Sequence, residues 1–417
     1  MSESTANHPP HFRSSVQALW RNGPFTRYIS GEAISMTGTW MQAMAQGWVM
    51  TGLTDKAVML GMVNFAAGIP MIALSMVGGT VADRYPKRNI LLLTQVLQIA
   101  CAASLGWLVA TGQIRIWHII GVAFFLGIAA AFEMPSAAAL VPELVGKEHI
   151  AAAIGIDRAV FHGTRLLGPA LAGYAIAWLG TASAFYANAL SFVAFMVALY
   201  TIHPHPAPTT AEGQRGGGIR EGFDYVRQDR PTLAMIGLLA ANVVFVFPMM
   251  AVMMPLYARH VLGLGPDKMG LLMGCTAIGG LTGSIGMIGV PRDKRRAVLF
   301  AAVTVVAVAM CGLASARQFT MAAGSAAVLA LGATTLFGLA NTTVQERAPS
   351  PMRGRVSAIV GLGFFGLMPF AGLGLTSVAD AIGFRRALVG AAIAYLVVTV
   401  AVLFGIGRPL KEPAATG

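Results

Sequence analysis

The chain has 417 residues, 56% of them hydrophobic and only 11% charged, with a mean hydropathy of +0.68. Soluble domains carry about 25% charged residues, so most of this chain is expected in lipid, which argues against a soluble enzyme or binding module. The formal charge of +12 does not point to nucleic acid, because the basic residues fall in short clusters between apolar runs, as the positive-inside rule requires.

The N-terminal stretch, residues 1–25, lacks a charged-then-apolar cleavable signal. It reads as a cytoplasmic tail, and the first span is expected to act as its own insertion signal. A membrane span needs about 20 apolar residues. Twelve windows qualify: 26–52, 57–80, 89–111, 115–140, 150–178, 182–202, 232–259, 267–290, 297–315, 319–343, 354–379 and 385–406. The fold class is therefore an all-α membrane protein of twelve transmembrane helices in two six-helix bundles, 26–202 and 232–406. They are joined by a cytoplasmic linker at 203–231 and followed by a cytoplasmic tail at 407–417.

In the first window Glu32 starts a polar face that continues through Ser35, Thr39, Gln42 and Gln46 at helical spacing. On its own Glu32 reads as a first-turn carboxylate favoured by the helix dipole. Gln42 and Gln46 are candidate substrate contacts. Between the second and third windows runs Gly79-Thr80-Val81-Ala82-Asp83-Arg84-Tyr85-Pro86-Lys87-Arg88, a tight charged loop of the kind that marks a conformational joint. Glu133 stands near the end of the fourth window.

The fifth window is unusual, because Asp157, Arg158, His162 and Arg165 all fall in or near the membrane. At 1.5 Å per residue from a start near 150, Asp157 lies about 10 Å deep and Arg165 about 22 Å. Arg158, His162 and Arg165 are spaced i, i+4 and i+7 and share one face. A charge at the bilayer centre costs at least about 2.5–3.5 kcal/mol, so this face is expected to line a cavity or to be paired. One reading makes Arg158 and Arg165 an anion-attracting stripe with Asp157 or His162 as proton carrier. The other leaves Asp157 and Arg158 solvated near the surface and Arg165 as a tie to a neighbouring helix.

After the Pro/Gly-rich linker, Ile219 to Arg230 reads as an amphipathic surface helix with Ile219, Phe223 and Val226 on one side. Asn242 in the seventh window is an interhelical hydrogen-bonding group or a substrate contact. Met and aromatic residues such as Trp40, Trp48, Met41, Met44, Phe245, Phe247, Met249 and Met250 pack helices or form an adaptable pocket. Leu60-Gly61-Met62, a Gly-rich span and Asp83 to Arg88 recur as Met269-Gly270-Leu271, a Gly-rich span and Arg292 to Arg296. This internal repeat places the substrate path between two pseudo-symmetric halves. With both termini inside, twenty of the 29 Lys and Arg fall on cytoplasmic segments and seven outside.

Several chemistries are absent from the sequence. Cys101, Cys275 and Cys311 lie inside apolar runs and imply neither disulfides nor a metal site. His203 and His205 in the linker are separated by proline and read as linker rather than metal ligands. No G-x-x-x-x-G-K-[ST] loop offers direct ATP drive, and no metal set or nucleophile turn supports an enzyme. No cofactor is expected.

The charged loop, G-x-x-x-D-R-x-x-K-R, resembles the signature between helices 2 and 3 of the major facilitator superfamily, with Pro86 where Gly is usual. Ser35 to Gln42, Met134-Pro135-Ser136 with Leu140 to Leu144, and Arg165 to Gly173 resemble the branch holding the enterobactin exporter and macrolide-efflux proteins. Gly155, Gly168, Pro169 and Gly173 match the antiporter motif of drug exporters, while Thr164 and Ala172 replace its other glycines. Ala123 stands where many of those exporters carry a helix 4 arginine.

The resemblance implies a gate formed by Gly79, Asp83, Arg84, Lys87 and Arg88. Asp83 would dock at the start of the eleventh window near Arg353 and Arg355, and Lys87 or Arg88 would pair with Glu133. The resemblance also has the first helix line the cavity, which makes Glu32 a candidate proton site. It implies a secondary active transporter in a bacterial inner membrane, monomeric, both ends cytoplasmic, exporting a siderophore or drug-like molecule against protons by alternating access. The cationic face of helix 5 tilts the expected cargo toward an anion or catecholate. The alternatives are a lipid or lysolipid flippase of the same fold and a non-transporting membrane sensor.

Overall fold

The computed structural model describes residues 12–202 and 219–405. His203, His205, the rest of the Pro/Gly-rich linker and the C-terminal tail lie outside the described residues. A short helix, α1 (Phe12–Arg21), precedes the first bundle: α2 (Gly23–Leu53), α3 (Ala57–Arg84), α4 (Lys87–Ala110), α5 (Ile116–Leu144), α6 (Ile150–Leu179) and α7 (Ala182–Tyr200). The linker helix α8 (Ile219–Gln228) leads into α9 (Arg230–Val261), α10 (Pro266–Gly286), α11 (Arg295–Ser315), α12 (Phe319–Arg347), α13 (Arg353–Ile382) and α14 (Phe384–Gly405).

Among the described residues, ten helices are long and apolar enough to cross a membrane. The two further expected spans are α2 and α6, which have the length, 31 and 30 residues. They miss on hydropathy because Glu32, Gln42 and Gln46 interrupt one, and Asp157, Arg158, His162 and Arg165 the other. In a bundle such helices place polar side chains on protein or a cavity rather than on lipid.

Local chemistry sets the helix ends. Asn22 caps α2 by accepting from the Phe25 N–H at 3.2 Å, and Pro24 stands in the first turn, where a missing N–H costs nothing. Asp229 caps α9 through the Thr232 N–H. Gly180 and Gly383 end α6 and α13 at φ 84° and 87°, a conformation open to glycine. Pro248 and Pro255 interrupt α9, and wide π-type turns at Met249–Met253 and Tyr257–Val261 absorb them.

Within the first bundle α3 packs on α5, α2 on α6 and α7, and α4 on α5 and α7; within the second, α10 and α11 pack on α12, and α9 on α12 and α14. Bare glycine faces allow the closest approaches. A Cβ at Gly78 would strike the Ala131 carbonyl and one at Gly127 the Ala67 carbonyl; Gly279 meets Ala327 in the same way. Gly79, the glycine of the expected gate, has nothing within 4 Å of where its Cβ would stand. The close contact belongs to Gly78, one residue earlier.

The linker helix differs from its expected face. Val226 is buried at 4%, but Phe223 is 53% exposed. The buried side is Gly222 and Val226, because Gly222 lies against Arg355 and Ile359 of α13.

Candidate functional site

The two halves meet at one end. Gly61 of α3 lies against Gly372, Leu373 and Thr376 of α13, and Gly270 of α10 against Pro169 and Gly173 of α6. The sequence repeat relates Gly61 to Gly270, so the two contacts are pseudo-symmetric copies. Polar ties reinforce this end. Asp380 accepts from the N–H groups of Ala57 at 2.6 Å and Val58 at 2.9 Å. Arg259 of α9 donates to the Trp48 carbonyl at 3.2 Å and lies over its ring, while His260 meets the Thr51 carbonyl at 2.9 Å.

At the opposite end Asp83 and Arg84 are exposed. Asp83 does not dock on α13 in this state: Arg353 donates to the Ala348 carbonyl at 3.3 Å and Arg355 pairs with Glu221 of the linker helix at 2.6 Å. Nor does Glu133 pair with Lys87 or Arg88. Lys87 pairs with Glu143 at 2.8 Å, and Arg88 donates to the Tyr200 carbonyl at 2.7 Å. The reason is depth. Helix α5 runs through Pro135 and Pro142 to Leu144, which leaves Glu133 about 16 Å from its end at 1.5 Å per residue.

Glu133 instead looks into a cavity of about 510 Å³, enclosed mainly by α2, α3, α5 and α7 and roofed by Phe365, Met368 and Pro369 of α13. Its wall is largely apolar, with Met36, Met71, Met134 and Phe192. A few polar groups converge on it. The Tyr28 hydroxyl donates to Glu32 at 3.1 Å, and Asn188 donates to Gln42 at 2.7 Å. Gln95 and Gln98 donate to the two oxygens of Glu133 at 3.0 and 2.6 Å. Glu32 is 9% exposed, and one of its oxygens accepts no hydrogen bond from the described residues. Gln46 also reaches the wall, its amide nitrogen unpartnered.

Asp157 is a near neighbour of Glu32, close enough to interact with it directly. Arg158 turns away: its side chain is 70% exposed and only 4.0 Å from Asp157. His162 and Arg165 line a separate narrow cleft shared with Phe247, Met250 and Thr334 of the second half. Arg165 rests over the Trp40 ring, 5.7 Å from its centroid. The cationic face of α6 therefore does not line the cavity, and the anionic tilt it gave the expected cargo falls away. Asn242, fully buried, donates to the Ala333 carbonyl at 2.8 Å and ties helices together away from the cavity.

Of the antiporter-motif residues, Gly168 packs on Trp40 and Thr37 within the first half, while Pro169 and Gly173 meet α10. Gly155 is exposed. The sequence did not single out Gln95, Gln98, Tyr28 or Asn188. Polar residues at i and i+3 in the otherwise apolar α4 were the available signal for the two glutamines. Among the described residues no group of His, Cys, Asp and Glu is arranged to hold a metal.

Residues 14–414 match the family model described as transmembrane secretion effector. The chain belongs to that family. It is a multi-pass membrane transporter of the major facilitator type, acting in efflux or secretion. It is 23% identical to the multidrug efflux pump Tap of Mycolicibacterium fortuitum over 92% of this chain and 96% of that one. It is 24% identical to the staphyloferrin A transporter of Staphylococcus aureus over 62% of this chain and 65% of that one. Its fold is similar to that of a bacterial homologue of the human lysosomal transporter Spinster, solved inward-facing and unoccupied, with a TM-score of 0.69, 14% identity and coverage of 95% and 97%.

Proposed function

We propose that this transporter exports a medium-sized, partly apolar organic molecule by alternating access, coupled to protons entering in the opposite direction. The observation that carries the reading is Glu32, a buried carboxyl with an oxygen that accepts no hydrogen bond from the described residues, on the wall of a cavity enclosed by the first half and roofed by α13 of the second. A buried carboxylate needs a proton or a cation to sit with it. A group that exchanges one for the other as access alternates is what antiport requires. The cavity's volume falls in the range of small-molecule sites, about 300–1,000 Å³, and its Met-rich wall suits varied ligands. The chain is similar to relatives named for multidrug efflux and for staphyloferrin A transport, which supports an organic cargo.

The distribution of Lys and Arg supports a reading with the Asp83 end and both termini in the cytoplasm, and the bacterial relatives support an inner membrane as the location. This state then receives cargo from inside. Rocking the halves about the midplane would open the Asp380 end and bring Asp83 toward α13, where a carboxylate meets the positive end of a helix. The halves are sufficient for this cycle as a monomer.

The test is accumulation of drugs and siderophores in cells that lack their own exporters. Expression should lower retention of at least one compound, and a protonophore or Glu32→Gln should restore it. Export that persists with the proton gradient collapsed removes the antiport reading. Flux of lysolipid alone favours a flippase.

A further inference from the structure

The polar atoms on the cavity wall are unbalanced. Three of its buried atoms without a partner are acceptors, Glu32 Oε2, Asn64 Oδ1 and Gln98 Oε1, and one is a donor, Gln46 Nε2. The orientation of Gln98 is fixed by chemistry. Its nitrogen donates to Glu133, and reversing the amide would set two acceptors against each other. Its oxygen is thereby directed elsewhere, and the residue is only 7% exposed. Gln95, fully buried, holds the other Glu133 oxygen in the same way.

Two amide donors position the Glu133 carboxylate without neutralising it, and a carboxylate has about four acceptor positions. Among the described residues no Lys or Arg forms an ion pair with Glu133 or Glu32. Lys87 is taken by Glu143, Arg165 lies on Trp40, and Arg158 points out. A charge in this position needs a counter-charge from the ligand or a proton.

We propose that the carboxylate of Glu133, presented on the cavity wall by Gln95 and Gln98, is the subsite for an N–H-bearing cation of the cargo, a protonated primary amine or a guanidinium. The inference rests on the export reading above and names its substrate class. Hydrogen-bond acceptors reward a cation that donates. A quaternary ammonium has no N–H to give and depends on open aromatic faces. Of the aromatic rings on this wall Trp40, the best cation–π partner, carries Arg165, which leaves Tyr28 and phenylalanines as weaker faces. Most of the remaining wall is apolar, so the cargo pairs this cation with a largely apolar body.

The test uses the full chain purified in lipid nanodiscs and calorimetric binding of three probes on one skeleton: naphthylethylammonium, its N-trimethyl derivative and naphthylethanol. The ammonium should bind about tenfold or more tighter than either other probe, the effect of a charge-assisted hydrogen bond of about 1.5–3 kcal/mol. Glu133→Gln, which keeps the volume, should erase that preference. The wild-type ranking decides the matter even if the variant fails to fold. Equal binding of the ammonium and trimethyl probes, tighter binding of the alcohol, or no ammonium binding overturns the proposal. Preference without proton-coupled flux would instead overturn the export reading, and flux without preference would overturn only the subsite.

Discussion

Asp380 of α13 accepts hydrogen bonds from the first two N–H groups of α3, those of Ala57 and Val58, across the boundary between the halves. A carboxylate at a helix N-terminus satisfies orphan donors and meets the positive end of the dipole. Asp380 itself is exposed, so the contribution is small, about 0.3–1 kcal/mol. Asp380→Asn is expected to favour opening at that end by about two- to fivefold in population. Spin labels at positions 54 and 382 should report a larger share of long distances. An unchanged distribution removes Asp380 from the closure.

Gly270 and Gly173 make the matching contact on the other side of the pseudo-twofold. A side chain at Gly270 meets the Pro169 carbonyl, which cannot move aside as a flexible side chain can. Gly270→Val should leave the protein folded and monodisperse yet unable to close this end. Transport should fall to background while binding from the Asp83 side persists. Normal transport by Gly270→Val would mean the contact is dispensable.

Asp83 makes no hydrogen bond or ion pair with described residues in this state, whereas the Arg353 and Arg355 side chains are engaged elsewhere. Asp83→Asn is therefore expected to leave the thermal stability of this state unchanged. Its effect should fall on the opposite state, raising thiol accessibility from the cytoplasmic face during turnover. A drop in stability with unchanged accessibility would place Asp83 in the fold rather than in the gate.

Asp229 ties the linker to the second half. It caps α9 and accepts from Arg347 Nε and Nη2, at 3.0 and 2.8 Å. Burial alone would raise its carboxyl, but the bonds from Arg347 and Thr232 outweigh that and hold it below the usual aspartate range. A group depressed in the folded state adds stability above its unfolded value, about 3.9. That stability disappears as pH falls through the lower folded value. Asp229→Asn should lower Tm at neutral pH, and the gap to wild type should close under strongly acidic conditions. A gap that is constant with pH would assign the effect to packing.

The fold was legible because composition leaves few choices: apolar runs of span length, a repeat, and a Lys/Arg asymmetry all act on whole segments. The site was legible in part. Glu32, Gln42 and Gln46 were found because their spacing puts them on one face of α2, which faces the cavity. The sequence window ending at 140 sets Glu133 near the cytoplasmic end, while the helix continues through Pro142 to Leu144 and leaves it deeper. A proline removes only one hydrogen bond, and packing against α3 compensates. Arg158, His162 and Arg165 share a face as expected, but periodicity does not say what that face meets. Here it meets solvent and the narrow interhalf cleft. Gln95 and Gln98 gain meaning only from the carboxylate another helix brings to them.

Coupling of cargo export to protons through Glu32 is tested most directly by proton flux in inside-out vesicles under an imposed pH gradient, with cargo candidates added one at a time. The account predicts that a transported compound moves protons out of wild-type vesicles, and that the same compound produces no proton movement with Glu32→Gln. Cargo uptake into wild-type vesicles with no accompanying proton movement, or undiminished proton movement in Glu32→Gln, would contradict it.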